Sequence, residues 1–218
     1  MTPNTALRQR DHAYSNFTEK LLARDLKPGQ IVSQRELVDL TGMPLGAIRE
    51  MIPRLEADGL IKTVPKRGLQ VLSIDLDLVR NAFQLRDIIE GEAISEFCKT
   101  ATSEEIDLLA QQHADIREQA KAGVTPEVLK AAQRTDWAFH DRIIDAMNNP
   151  IISDIHRVNA IKIRLIRNND TRMLPDLVVP VLDEHLAIFE ALKARDCAAA
   201  VQAIHSHIDS AKRRALGI

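Results

Sequence analysis

The 218-residue sequence has few aromatic residues, two cysteines and no long apolar run. Aromatic residues make up 3% of the chain and hydrophobic residues 45%, a balance typical of a helical protein packed with Leu, Ile, Val and Ala. Cys98 and Cys197 lie far apart with no Cys-x-x-Cys pair, so neither a disulfide framework nor a zinc ribbon is expected. No apolar run approaches the roughly 18 residues that cross a bilayer, and no secretory leader is recognised. We therefore expect a cytoplasmic protein that makes no membrane contact.

The motifs of common nucleotide-binding and hydrolytic enzymes are also missing. The chain contains no P-loop, no glycine-rich dinucleotide motif and no nucleophile elbow. The formal net charge of −2 is unevenly divided, because residues 1–72 carry 11 Lys and Arg against 8 Asp and Glu, and the rest carries 18 against 23. Only the first part suits a polyanion. The length favours two domains, which we place at residues 1–73 and 74–218.

Capping and turn residues predict a winged helix-turn-helix in the first domain. A helix over residues 12–24 is followed by a second, which Ser33 caps and Gly42 ends. Pro44 opens a third helix, which closes at 58–59. Residues 60–64 and 69–71 then form a β-hairpin around the turn at 65–68, which is the wing.

The second domain has helical periodicity throughout. We predict six helices, at about 77–99, 103–121, 125–147, 149–168, 176–194 and 196–214. The breaks between them carry capping or turn residues. The chain is thus expected to be mainly α, with a winged helix-turn-helix followed by a six-helix antiparallel bundle.

Charged and imidazole side chains interrupt the apolar faces of these helices. Asp136 and His140 fall in the middle of one such face, and His185 lies in the middle of another. Buried charge is costly unless it is paired or coordinated, so we expect these groups to bind a divalent transition metal, most simply zinc, with nickel or another ion as alternatives. The last helix offers either His205 or His207, which lie at opposite edges of its apolar face. His113 and His156 show no comparable pattern and are interpreted as ordinary polar residues.

Five short motifs follow one another in the N-terminal third: Leu26-Lys27-Pro28-Gly29, Ser33-x-Arg35-Glu36-Leu37, Ile48-Arg49-Glu50, Arg54-Leu55-Glu56-x-x-Gly59-Leu60 and Pro65-Lys66-Arg67-Gly68. In this order and spacing they resemble the GntR family of bacterial transcription regulators. The remainder is similar to the FCD-type ligand domain of the FadR subfamily, through Asp136-x-x-x-His140, His185 and His207, and its six helices resemble the VanR-like group. The resemblance implies a homodimer that binds an inverted repeat in double-stranded DNA, represses a catabolic operon, and uses His207 as the fourth metal ligand.

Candidate DNA-binding residues lie in the helix-turn-helix and the wing. Arg49 lies in the opening turns of the third helix, from which an arginine can bind guanine with two hydrogen bonds; alternatively it pairs with a nearby carboxylate. The resemblance assigns a DNA contact to Arg35, and the cationic turn Lys66-Arg67-Gly68 can lie against the minor groove. The family usually has Ser-Arg-Thr-Pro at the start of the recognition helix, but this chain has Pro44-Leu45-Gly46-Ala47. Leu45 and Gly46 can offer only apolar or backbone contacts, so the base preference should differ.

Arg86 is the candidate effector-binding residue. It lies on the apolar side of its helix and resembles the inward-facing arginine of the family. It either binds the carboxylate of a small organic acid or pairs with Glu90, four residues on. We predict a DNA-binding regulator whose operator affinity is controlled by such an acid at the metal site. The alternative is a metal-dependent enzyme that uses the Asp/His set.

Overall fold

A computed structural model describes residues 3–169 and 175–218 of the chain. The chain divides into two compact units, Met1–Leu76 and Asp77–Ile218. Most of the turn predicted at 168–175 lies outside the described residues. No helix in the described ranges is both long and apolar enough to cross a membrane.

The first unit is a winged helix-turn-helix, as predicted. Its elements are α1 (Pro3–Leu22), β1 (Ile31–Val32), α2 (Gln34–Thr41), α3 (Leu45–Ala57), β2 (Ile61–Val64) and β3 (Gly68–Val71). The helices pack through fully buried side chains, among them Phe17, Leu37 and Ile48.

The ends of α2 follow from its sequence. The Ser33 hydroxyl accepts a hydrogen bond from the Glu36 backbone at 3.1 Å, and the Glu36 carboxylate accepts one from the Ser33 backbone at 2.6 Å. Gly42 ends the helix with a φ of 67°, a conformation that glycine adopts without strain. This pairing of a capping box with a left-handed glycine fixes the short helix that precedes α3.

The wing contains one strand more than the sequence indicated. All pairing is antiparallel, in the order β1-β3-β2, with Ile31 opposite Gln70 and Val64 opposite Gly68. A Cβ at Gly68 would lie 2.6 Å from the Val32 carbonyl oxygen, so a glycine is needed where β1 approaches the hairpin. The two-residue strand β1 was not predicted, because two residues show no periodicity.

The described residues of the second unit form the six predicted helices. They are α4 (Leu76–Thr100), α5 (Ser103–Ala122), α6 (Pro126–Asp145), α7 (Pro150–Asn169), α8 (Pro175–Lys193) and α9 (Cys197–Leu216). Helix α8 packs against α5, α6 and α9, and α6 packs against α5 and α7. Side chains on the inner faces of α6, α8 and α9 can therefore meet.

The two cysteines depart from the sequence expectation. Cys98 near the end of α4 and Cys197 at the start of α9 form a disulfide, with their Cα atoms 5.6 Å apart. The expectation that no disulfide forms was wrong for this structure, because a separation of 99 residues leaves no local sequence signal. The bridge links the two helices at one end of the bundle.

Candidate metal centre and nucleic-acid interface

Four buried polar side chains from three helices meet inside the second unit. They are Asp136 and His140 on α6, His185 on α8 and His207 on α9, and each is at most 4% exposed. One donor atom from each lies within 4.8 Å of the others. Asp136 and His140 share a face because residues four apart on a helix are neighbours. The structure therefore brings together all four residues that were predicted as metal ligands.

Several donor atoms in this cluster are not satisfied by the protein. Asp136 Oδ1 and His185 Nδ1 are buried and have no hydrogen-bond partner among the described residues. His185 Nε2 lies 3.3 Å from His207 Nε2 and 3.6 Å from Asp136 Oδ1. Unpartnered buried polar atoms are uncommon in folded proteins. One oxygen and three imidazole nitrogens form a donor set that fits a divalent transition metal.

The charge states also fit a cation. Burial lowers the pKa of His185 well below its ordinary value, and it lowers the pKa of His207 to about 4 although Glu184 opposes the shift. Both imidazoles are therefore neutral at neutral pH and keep a lone pair for a metal. Burial is the largest influence on Asp136 and opposes its ionisation, but the Arg167 guanidinium, 2.8 Å away, and the neighbouring imidazoles of the cluster together hold the pKa of this carboxyl well below its ordinary value.

Two glutamates support the histidines from outside the cluster. Glu184 accepts a hydrogen bond from His207 Nδ1 at 2.8 Å, and Glu90 Oε2 lies 2.7 Å from His140 Nδ1, although that contact is not aligned as a hydrogen bond. Burial opposes their ionisation, but Arg86 beside Glu90 and the hydrogen bond from Arg214 to Glu184 help to lower each pKa to about 2. At His207, the Glu184 carboxylate keeps the proton on Nδ1 and leaves Nε2 for a metal.

Sequence reasoning missed both of these supporting roles. Glu90 was considered only as a partner for Arg86, although its place four residues along the same apolar face could have indicated burial. Glu184 carries no pattern of its own, because its partners His207 and Arg214 lie on another helix.

Arg86 makes one of the two contacts that the sequence left open, the pair with Glu90. Its side chain is 5% exposed, and Nε donates to Glu90 Oε1 at 2.8 Å. Its Nη2 lies 2.6 Å from His140 Nε2, and Nη1 is buried with no hydrogen-bond partner in the described chain. A cavity between α4, α6 and α7 is lined by Arg86, Asp136 and His140. An anion in this cavity would meet a buried guanidinium and two of the four predicted metal ligands.

The remaining histidines differ in their surroundings. His205 lies outside the cluster, with Nδ1 2.6 Å from Asp87 and its ring against Gly91, where a Cβ would come within 2.7 Å of the imidazole. His113 was interpreted as an ordinary polar residue, but it is fully buried and its ring centroid lies 5.1 Å from that of His185. Its Nδ1 contacts the Leu109 carbonyl oxygen at 2.7 Å. The sequence did not indicate this position, because no second polar residue stands at helical spacing from His113 on an apolar face.

The predicted DNA-binding side chains lie on exposed parts of the first unit. Arg35 on α2 is exposed, and so are Lys66 and Arg67 in the turn between β2 and β3. Lys66 has a φ of 62°, and Gly68 follows it at the start of β3.

The start of α3 presents three of the predicted contacts. Leu45 is 41% exposed, and Gly46 and Arg49 are also exposed. Arg49 Nε donates to the Gln34 side-chain oxygen at 3.1 Å, so within the described residues this arginine contacts an amide rather than the carboxylate considered from the sequence. Because this partner is neutral, the charge of Arg49 is not paired with a carboxylate in the described part of the chain, which suits a phosphate or a base edge.

Comparison with known proteins matches both units. Residues 9–71 match the gntR family of bacterial regulatory proteins, and residues 81–210 match the FCD domain. The chain is 25% identical over 201 residues to the uncharacterized HTH-type transcriptional regulator YdhC of Bacillus subtilis, covering 90% of this chain and 86% of that protein. It is 28% identical over 193 residues to the Nta operon transcriptional regulator of Aminobacter aminovorans, covering 84% and 85%.

A solved structure has the same fold. The crystal structure of a GntR-type chain from Rhodococcus sp. RHA1 superposes with a TM-score of 0.72 at 19% identity, over 96% of this chain and 98% of that one. At this level of identity the likeness establishes the fold alone.

Proposed function

The chain belongs to the GntR family of DNA-binding transcription regulators and carries an FCD domain, and we propose that it is a metal-dependent repressor of a catabolic operon, released from its operator by a small organic acid. It is not an enzyme, since both matched families and the relatives above are regulators. The alternative of a metal-dependent enzyme has no support.

The metal site is the first part of this proposal. Its ligands are Asp136, His140, His185 and His207, and the observation that carries it is the convergence of these four buried donors, with Asp136 Oδ1 left unpartnered. Zinc suits three imidazoles and one carboxylate best, and nickel or another divalent ion is the alternative. When bound, the ion supplies a buried positive charge to which a carboxylate can coordinate.

The effector is the second part. We place the acid in the cavity between α4, α6 and α7, where Arg86 has a buried Nη1 without a hydrogen-bond partner in the described ranges. A charged hydrogen bond to a carboxylate would satisfy that atom. Glu90, the partner of Arg86, also lies beside the proposed metal ligand His140. An acid that contacts Arg86 would therefore also affect the carboxylate next to that ligand.

The DNA complex is the third part. We infer a cytoplasmic homodimer on an inverted repeat, because one recognition helix per chain matches one half-site and two-fold symmetry matches two. Arg49, Leu45 and Gly46 would face the major groove, with Arg35 at its margin. Lys66, Arg67 and Gly68 would lie against the minor groove, where a cationic turn is attracted to phosphate.

A gel-shift screen tests the whole proposal. The full chain, loaded with zinc, is bound to the DNA upstream of its own gene and challenged with a panel of catabolic acids. We expect at least one acid to release the zinc-loaded chain at concentrations at which chelator-treated protein does not respond. Elemental analysis of protein purified without added metal provides the independent check. Release that is equal with and without zinc, or a chain that takes up no divalent ion, would contradict the proposal.

A further inference from the structure

The cavity beside the metal cluster has a balanced set of fixed charges. Among the described residues, its arginines and carboxylates number three each and form three pairs, Arg86 with Glu90 at 2.8 Å, Arg167 with Asp136 at 2.8 Å, and Arg164 with Asp141 at 3.2 Å. Each positive charge in the described lining is therefore matched by a negative one before any ion enters. A divalent metal on the cluster adds two positive charges that these side chains do not compensate.

This excess positive charge determines how many negative charges the ligand should carry. From it we infer that the effector is an organic dianion, a molecule with two carboxylates, whose second carboxylate binds Arg164; the inference rests on the proposed function, because it requires the metal. Uncompensated charge in a buried site is costly. A monocarboxylate would leave one positive charge unmatched, whereas a dicarboxylate neutralises both.

Arg164 is the arginine best placed to receive the second carboxylate. Arg86 and Arg167 hold carboxylates that are at most 1% exposed, whereas the partner of Arg164, Asp141, is about half exposed. Asp141 also contacts His156 at 3.0 Å, so it keeps a partner if Arg164 turns to a ligand. Ionic contacts near solvent are weak and exchange readily.

Apolar side chains also line the cavity beside Arg164. Arg164 stacks on the Trp137 ring, with its guanidinium carbon 4.4 Å from the ring centroid, and Ala160 and Ile163 complete this part of the lining. These groups cannot replace the hydration of a charge, but they can contact methylene groups. The arrangement therefore favours a dicarboxylate with a short carbon chain over a compact dianion such as sulfate.

Trp137 also provides the assay. It is the only tryptophan in the sequence and it lines the cavity, so its fluorescence reports occupancy. The zinc-loaded full chain is titrated with linear dicarboxylates from malonate to adipate, each compared with the monocarboxylate of equal carbon number and with sulfate. We expect the best dicarboxylate to bind about tenfold more tightly or better than its matched monocarboxylate, the effect of one charge-assisted hydrogen bond.

Variants of α7 then identify the second contact. Arg164→Gln should remove most of the preference for the dicarboxylate and leave the affinity for the monocarboxylate unchanged, and Arg164→Lys should restore part of it. Arg157→Gln is the matched control, because Arg157 lies on the same helix, is 56% exposed and pairs only with Asp154 among the described residues. Isothermal titration measures these affinities independently of the altered surroundings of Trp137.

Several results would overturn the inference. They are equal affinities for matched mono- and dicarboxylates, sulfate bound as tightly as the best dicarboxylate, no dicarboxylate bound at millimolar concentration, and an equal loss of both ligands in Arg164→Gln. If a monocarboxylate nevertheless releases the zinc-loaded chain from DNA, the proposed function stands and only the dianion assignment fails. Loss of zinc binding itself would instead remove the proposed function.

Discussion

Replacing Glu184 with glutamine should weaken zinc binding while leaving the chain folded. The Glu184 carboxylate accepts a hydrogen bond from His207 Nδ1 at 2.8 Å and two from Arg214 at 2.8 and 2.9 Å. Its pKa of about 2 keeps it ionised, so it holds the His207 proton on Nδ1 and adds negative charge behind the ligand. Glutamine keeps the shape but not the charge. Outer carboxylates of this kind contribute about 10- to 100-fold to metal affinity, which corresponds to about 1.4–2.7 kcal/mol.

The assay separates this effect from a loss of stability. The Glu184 side chain is 25% exposed and that of Arg214 22%, so breaking their contact should cost the metal-free chain less than about 1 kcal/mol. Asp183→Asn is the matched control, because Asp183 is adjacent on α8 but contacts Arg117. Zinc affinity is measured by competition with a chromophoric chelator at neutral pH, alongside melting of the metal-free proteins. An affinity of Glu184→Gln within about twofold of wild type, or an equal loss in the control, would refute the reasoning.

Four further predictions follow from the same structure. Arg49→Ala should weaken operator binding by roughly 1–3 kcal/mol and relax base preference in gel shifts. Lys66→Ala should instead weaken binding to all DNA sequences alike and reduce the slope of log affinity against log salt concentration by about 1. Unchanged operator affinity for Arg49→Ala would remove its assignment as a base-reading residue. His205→Ala should keep stoichiometric zinc by elemental analysis and His207→Ala should lose it, and the reverse would identify the other histidine as the ligand. Cys98→Ser should lower the melting temperature, because the disulfide joins residues 99 positions apart and a bridge that closes a loop of that length adds up to about 4.7 kcal/mol to the free energy of unfolding. Equal melting temperatures for the oxidised and the reduced wild type would contradict this. In the metal-free chain, the pKa of His207 is about 4 when the protein is folded and about 6.5 when it is unfolded. The unfolded chain therefore binds more protons between these two pH values, and the free energy of unfolding should fall as the pH is lowered through this window. A free energy of unfolding that does not change with pH in urea titrations would argue against this.

The fold could be predicted from the sequence wherever an element is determined by residues close together along the chain. Ser33 and Gly42 bound α2 because capping depends on residues three or four positions apart, and the helices of the second unit recur at predicted positions for the same reason. Strand β1 was missed because its evidence is pairing with β3, about 40 residues on. The Cys98–Cys197 bridge was missed likewise, since only the packed bundle brings the two residues together.

The candidate site, too, could be predicted from the sequence only where its signals lie within one helix. Asp136, His140 and His185 interrupt apolar faces, which is a periodic signal, and the structure places them together. Periodicity left His205 and His207 open, whereas packing brings His207 to the cluster and turns His205 to Asp87. The contacts of Glu184, His113 and Arg164 lie largely with distant segments, so no spacing within one helix could indicate them.

Helix α4 follows the DNA-binding unit along the chain and carries two residues of the candidate effector site. It begins at Leu76, five residues after β3 ends at Val71, and it carries both Arg86 and Glu90. Glu90 is shared, because one oxygen binds Arg86 and the other lies 2.7 Å from His140. A ligand changes DNA affinity only if it binds two arrangements of the protein differently, so it must act on a group whose contacts can be exchanged. On the proposed function, an acid that accepts a hydrogen bond from Arg86 Nη1 would add negative charge beside this pair, while Nε keeps its hydrogen bond to Glu90. The Arg86–Glu90 pair is therefore the contact through which metal and acid would both act on the helix that follows the DNA-binding unit, and variants of this pair should change the acid response more than operator affinity in the absence of acid.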